Sequence, residues 1–272
     1  MRLLKTGLSV LSALLIVTAF SVAAGGQDWA KARLAGSPRH QEWVKVKQGS
    51  RSVNAFIVYP EVKNKATAVV VIHEIFGMSD WVRSVADQLA EAGYIAIAPD
   101  LLSGMAPGGG GTADFKDNTG IGQAIRDLPA DQITADLNAV ADYVSKLPAA
   151  NGKVAVAGFC WGGSQTFRFA TNRANLAAAF VFYGTGPDDA ASIARIKCPV
   201  YGFYGGNDAR VTSTVPKSEE LMKAAGKKYE PLTYEGAGHG FMRAGEAPNA
   251  NEANKKARDE AWVRWKDALK KI

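Results

Sequence analysis

From Val44 onward, short runs rich in Val, Ile and Tyr alternate with stretches whose apolar residues recur every three or four positions. Val44–Val46 and Val53–Tyr59 read as an antiparallel opening pair. Ala68–His73 is an almost unbroken Val/Ile run, the kind buried on both faces of a sheet. Ser79 then caps a helix running to Ala92, with Val82, Val85, Ala86 and Leu89 on one face and Gly93 as its stop. Tyr94–Ala98 is the next strand, and 103–120 a loop with a glycine run from Gly108 to Gly111. Asp131–Leu147 carries Ile133, Leu137, Val140, Ala141 and Val144 on one stripe and reads as a helix. There follow strand Val154–Ala157, helix Cys160–Asn172, strands Ala179–Tyr183 and Val200–Tyr204, helix Val215–Ala225 and strand Tyr229–Tyr234. The closing helix, Glu252–Lys270, places Trp262, Trp265 and Leu269 on a shared face. Strands alternating with helices predict an α/β domain over 43–272, a mostly parallel central sheet with helices on both faces. Right-handed crossovers then carry every strand-to-helix connection to one edge, the carboxyl edge.

The first residues do not share this pattern. Arg2 and Lys5 precede an uncharged run from Leu8 to Ala24 that ends in Val22-Ala23-Ala24. A basic start, an apolar middle and small residues at the end match a secretory signal peptide over 1–24. A retained anchor fits less well, because the uncharged segment is diluted with polar residues and glycine at both ends and its strongly apolar part is short for a span. Export to the periplasm is expected, with no membrane association after cleavage near Ala24. Residues 25–42 read as a poorly ordered lead-in. With 47% hydrophobic residues in 272, the chain can bury a full core, which excludes a disordered tail or a disulfide-dense mini-protein. The net charge of +6 loses Arg2 and Lys5 with the leader. The remaining cations are spread along the chain with no Lys/Arg block, so nucleic-acid binding has no support.

Strand Val154–Ala157 runs into Gly158-Phe159-Cys160-Trp161-Gly162-Gly163 and then a helix. This G-x-C-x-G is a nucleophile elbow in its strand–turn–helix context. The turn is tight, so the residues two before and two after the nucleophile must be tiny. A sulfur lifted onto a helix start meets N–H groups and a dipole that favour thiolate. A nucleophile needs a base, and the base an orienting acid. Of three histidines, His40 lies in the lead-in and reads as solvated, while His73 ends a strand and reads as a structural imidazole. His239 follows strand Tyr229–Tyr234 in the glycine-rich loop Gly236–Gly240, on the same edge as Cys160. Asp208 follows strand Val200–Tyr204 and reaches that edge too. The order nucleophile, acid, histidine is that of α/β-hydrolases. The Trp161 amide, just after the nucleophile, is one oxyanion donor. Phe76 and Tyr183 are candidate pocket walls. Cys198 precedes Pro199 at the amino edge, about a strand length of 17–20 Å from Cys160, too far for a disulfide.

These residues resemble the dienelactone hydrolase family over about 50–270. The resemblance rests on His73-Glu74-Ile75-Phe76-Gly77, Pro99-Asp100-Leu101, the Cys160 elbow, Tyr204-Gly205-Gly206-Asn207-Asp208 and Gly238-His239-Gly240-Phe241. It implies an α/β-hydrolase fold and a Cys160–His239–Asp208 triad that cleaves a small ester or lactone through an acyl-thioester. It also implies that the Ile75 amide is the second oxyanion donor, and that Glu74 pairs with Arg243 at rest. In the family's mechanism substrate draws the arginine away, and Glu74 then deprotonates the thiol. The loop 101–122 departs from the pattern, since it holds no arginine to clamp a substrate carboxylate. Its glycines make it pliable. No metal or organic cofactor is implied, and the expected partner is a small ester or lactone. Two other readings stay open. One is a binding protein on a hydrolase scaffold without turnover. The other is a thiol redox protein using Cys160 and Cys198, which the absence of C-x-x-C disfavours.

Overall fold

The computed structural model describes residues 27–272, so the expected signal peptide over 1–24 lies outside the described residues. The lead-in was expected to be poorly ordered, but Asp28–Gly36 is helix α1. Its apolar residues form no stripe, so no periodicity announces it, and tertiary bonds hold it instead. The Gln27 side chain accepts from the Trp81 amide at 2.7 Å, and Ala30 is fully buried. Just beyond α1, Arg39 grips the buried Asp87 carboxylate with two hydrogen bonds of 2.9 and 2.7 Å. The Ser37 hydroxyl donates to the same carboxylate.

Strands β1 (Gln41–Gln48) and β2 (Arg51–Val58) form the opening antiparallel pair, longer than the apolar residues alone suggest. Strand β3 (Ala66–Ile72) is buried at every position. Helix α2 (Asp80–Glu91) starts at Ser79, whose hydroxyl accepts from the Val82 amide. The chain continues through β4 (Ile95–Pro99), α3 (Asn118–Asp127), α4 (Ala130–Ser145), β5 (Ala150–Phe159), α5 (Trp161–Asn172), β6 (Ala178–Phe182) and α6 (Ala190–Ala194). It ends with β7 (Val200–Gly205), α7 (Ala209–Thr212), α8 (Val215–Ala224), β8 (Tyr229–Tyr234), α9 (Phe241–Ala244) and α10 (Glu252–Leu269). Helix α3 begins inside the stretch expected to be loop, where Asp117 accepts from the Gly120 amide as an N-cap. Helices α6, α7 and α9 are too short to show a period.

The eight strands form one sheet in the order β1-β2-β4-β3-β5-β6-β7-β8. The two pairs made by β2 are antiparallel and all the others parallel. This is the α/β-hydrolase architecture. Alternation along β3 explains its continuous apolar run. Val70 and Ile72 join the core layer of Ile133, Leu137, Val140 and Phe167. Val69 and Val71 join the opposite layer with Trp81, Val85 and Trp265. The winding reverses at β3, because β4 lies on one side of it and β5 on the other. Such a reversal opens a crevice at the carboxyl ends of the strands. The glycine-containing loop after β4 is pinned over this edge, since Asp100 accepts from the Thr112 amide and hydroxyl at 2.8 and 2.7 Å.

Replacing Asp87 by Ala leaves Arg39 and Ser37 without their buried acceptor. Urea denaturation should show a loss of about 2–4 kcal/mol. An unchanged midpoint would mean that the segment from α1 to β1 is held by other contacts.

Candidate active site

Strand β5 ends at Phe159 and α5 begins at Trp161, so Cys160 alone makes the turn. Its φ is +56°, and the other non-glycine residue with positive φ among the described residues is Tyr183 at +39°. The surroundings enforce this conformation. The Cys160 amide donates to the Phe182 carbonyl at 3.0 Å, and the Cys160 carbonyl accepts from the Ser164 amide at 3.2 Å. A Cβ on Gly158 would strike the Gly162 carbonyl and the Thr166 hydroxyl. A Cβ on Gly162 would strike the carbonyls of Ile72 and His73 at the end of β3. The glycine spacing is thus a packing requirement of the start of α5, which lies against the end of β5 at Gly158 and against the end of β3 at Gly162.

The half-buried Cys160 sulfur faces the amides of both Trp161 and Ile75. These are the two donors expected for an oxyanion. The helix start does not, however, make the resting group a thiolate. Burial pushes the thiol up to about 11, the Glu74 charge adds to the rise, and the Trp161 amide, Arg210 and the Ile75 amide only partly oppose them. Arg210, an exposed residue two positions after Asp208, escaped the sequence reading. A cation beside the acid of a candidate triad was the available signal.

Asp208 leaves the end of β7 and His239 the end of β8. The imidazole Nδ1 donates to Asp208 Oδ2 at 2.5 Å, since a carboxylate can only accept. Nε2 is left free. The two loops are stitched together by backbone bonds, from Gly206 to the Tyr234 carbonyl and from Asn207 to the Ala237 carbonyl, both 2.8 Å. The Asn254 side chain on α10 accepts from the Gly238 amide at 2.9 Å. Among the described residues no hydrogen bond joins His239 to the Cys160 sulfur, although both stand on one sheet edge.

Arg243 on α9 donates through Nε to Glu74 Oε2 at 2.7 Å, and Glu74 is only 3% exposed. The Arg243 guanidinium also lies over the Phe76 ring, 5.2 Å from its centroid. Phe76 therefore backs the arginine. Tyr183 is buried with its ring edge-on to His239 at 5.1 Å and to Phe241 at 5.4 Å. His73 is fully buried and donates through Nδ1 to the Glu74 carbonyl at 2.8 Å. Burial lowers its pKa and keeps it neutral. Its ring stacks on Trp161 at 5.4 Å, which ties the end of β3 to the start of α5. His40 stands outside this cluster, 67% exposed beside Glu42. Cys198 is a buried free thiol before the amino end of β7, at the other edge of the sheet from Cys160. Among the described residues no group of three or more His, Cys, Asp or Glu side chains could hold a metal ion, and no helix is long and apolar enough to cross a membrane.

The family profile described as "Dienelactone hydrolase family" matches residues 53–272. A protein of Salmonella typhimurium strain LT2 is 32% identical over 223 residues, 78% of this chain and 81% of its own length. A carboxymethylenebutenolidase of Pseudomonas putida is 32% identical over 196 residues, 69% of this chain and 80% of its own. The crystal structure of a dienelactone hydrolase-like promiscuous phosphotriesterase from metagenomic libraries superposes with a TM-score of 0.74 at 22% identity, over 86% of this chain and 98% of that one. It attests the fold.

The electrostatics yield a signed expectation. Glu74→Gln removes a negative charge facing the sulfur and frees the positive charge of Arg243. Both changes favour thiolate. The pH midpoint for iodoacetamide alkylation of Cys160 should fall by about one unit relative to the parent protein. A midpoint that stays or rises would show that Glu74 does not restrain the thiol.

Proposed function

The chain belongs to the dienelactone hydrolase family, and from that premise we propose that it hydrolyses a small carboxylic ester or lactone through a thioester on Cys160. One observation carries the reading. The Cys160 sulfur faces the amides of Ile75 and Trp161, on the sheet edge that also bears the His239–Asp208 pair.

At rest the thiol is protonated and therefore slow to oxidise. Bound substrate draws Arg243 from Glu74, and the freed carboxylate takes the thiol proton. The thiolate attacks the acyl carbon, and the carbonyl oxygen gains charge against the two amides. His239, carrying two protons opposite Asp208, gives its Nε2 proton to the departing alkoxide. The neutral imidazole next removes a proton from water, and the hydroxide oxygen attacks the thioester. The acid product leaves, and the released thiolate recovers its proton from Glu74. Charge and protons return to their starting places.

The substrate class is a small ester or lactone. The name of the Pseudomonas putida relative denotes a butenolide hydrolase. The loop 101–122 here offers no arginine to an anionic substituent. An anionic substituent would be met by Arg243, the residue that substrate draws from Glu74, with Lys116 as the loop's own cation.

Cys160→Ala should lower turnover of 4-nitrophenyl acetate at least about 1000-fold, and Cys160→Ser should stay far below the parent. Undiminished turnover by Cys160→Ala would remove the thioester mechanism. The leader reading adds a second expectation. Protein recovered from the periplasmic fraction of expressing cells should begin near Gly25, and an N-terminus at Met1 in that fraction would refute cleavage.

A further inference from the structure

We propose that the Tyr183 hydroxyl is a positioning donor for the negative charge that passes between Glu74 and Cys160 when the thiol is activated. The inference rests on the thioester reading above and assigns to Tyr183 a task beyond walling the pocket.

The backbone supplies the first observation. Tyr183 and Cys160 are the two non-glycine residues with positive φ among the described residues, and they stand at the ends of adjacent strands. A bulky side chain in that region is rare and persists only where its surroundings over-determine it. Here the Tyr183 amide donates to the Phe203 carbonyl at 2.8 Å, just as the Cys160 amide donates to that of Phe182 at 3.0 Å. The next residue, Gly184, lies so close to Gly163 and the Ser164 amide that a Cβ there would collide with both. The Tyr183 backbone is therefore locked between the elbow and β7, and its side chain points into the core.

That direction supplies the second observation. The residue is 1% exposed, and its hydroxyl is buried with no hydrogen-bond partner. A phenylalanine would fill the same space against His239 and Phe241 without desolvating a polar group. An unsatisfied donor beside reacting groups calls for an acceptor that appears later. The charged or titratable groups bearing on the phenol are Glu74, Arg243, Cys160 and Glu246, with His239 at the ring edge. Burial first, and Glu74 next, hold the phenol well above its ordinary range, so it keeps its proton and acts only as a donor.

The role follows from proton bookkeeping. At rest Arg243 answers the Glu74 charge, and the phenol is idle. Once Arg243 leaves, Glu74 takes the thiol proton. The S–H bond breaks, a carboxyl O–H forms, and one negative charge moves from carboxylate to sulfur. The Ile75 and Trp161 amides now facing the sulfur are then needed by the substrate's carbonyl oxygen. A third donor keeps the thiolate, or the carboxylate before it, from standing unpaired. The Tyr183 proton is not transferred.

The test compares the parent, Tyr183→Phe and Cys160→Ala. Tyr183→Phe should fold with unchanged circular dichroism and lower kcat for 4-nitrophenyl acetate about 10- to 100-fold. KM should stay within about twofold. Iodoacetamide alkylation of Cys160 at pH 8 should slow about tenfold, which loss of packing alone would not cause. If Tyr183→Phe does not fold, site-specific 2,3,5-trifluorotyrosine at 183 keeps the shape and sharpens the donor. Alkylation should then speed up. A Tyr183→Phe enzyme with parental kcat and alkylation rate overturns the inference, as does an unchanged rate with the fluorinated residue. If instead Cys160→Ala retains full turnover, the thioester reading itself falls.

Discussion

A backbone contact too close to admit a methyl group organises this molecule. The turn carrying Cys160 lies against the end of β3, with Gly162 beneath the carbonyls of Ile72 and His73. Because that contact joins two neighbouring strands, it sets where the sulfur stands relative to Ile75 and Glu74, the residues that follow β3. The stacking of His73 on Trp161 reinforces the same joint from the side-chain level. The sheet's change of winding at β3 supplies the crevice in which this joint sits. Sheet order thus supplies the crevice, and the close approach at Gly162 fixes the turn and the candidate reacting groups within it.

The electrostatics of the cluster run against a ready thiolate. Burial and the Glu74 carboxylate together outweigh two amides and the Arg210 charge at the sulfur. Meanwhile Glu74 is itself occupied by Arg243, and Arg243 is backed by Phe76. The arrangement is a closed circuit of partners in which each charged group has an answer, while the phenol of Tyr183 has none. Under the proposed mechanism, substrate opens the circuit at Arg243, and reactivity appears only where there is something to react with. A thiol that rests protonated in this way is slow to oxidise.

The imidazole side of the site depends on a different set of contacts. Asp208 and His239 come from consecutive parallel strands, whose following loops are laced by the Gly206 and Asn207 amides and braced by Asn254 of α10. That long last helix therefore does more than cover one face of the sheet with Trp262 and Trp265. Through Asn254 it also braces the histidine loop at Gly238.

Much of this could be read before any coordinates. The Val/Ile run of β3 and the stripes of α2 and α4 report burial on defined faces, and burial is what hydrophobic periodicity measures. The glycines around Cys160 and the aspartate and histidine after successive strands are local requirements of a tight turn and of loops at one edge, so they too are written in short motifs. Helix α1 was invisible to that reading, since it has no apolar stripe and the residues flanking it, Gln27 and Arg39, are tied to Trp81 and Asp87 far along the chain. The protonation of the thiol was legible only through the family resemblance, in which Glu74 deprotonates it after substrate binds, and not from the elbow itself. A helix start favours thiolate, and only the summed effect of burial and a carboxylate brought from another strand reverses the sign. Residue identity and spacing decide which chemistry is available. The state in which that chemistry rests depends on distances between groups far apart in sequence, because desolvation and Coulomb interactions act through space and not along the chain.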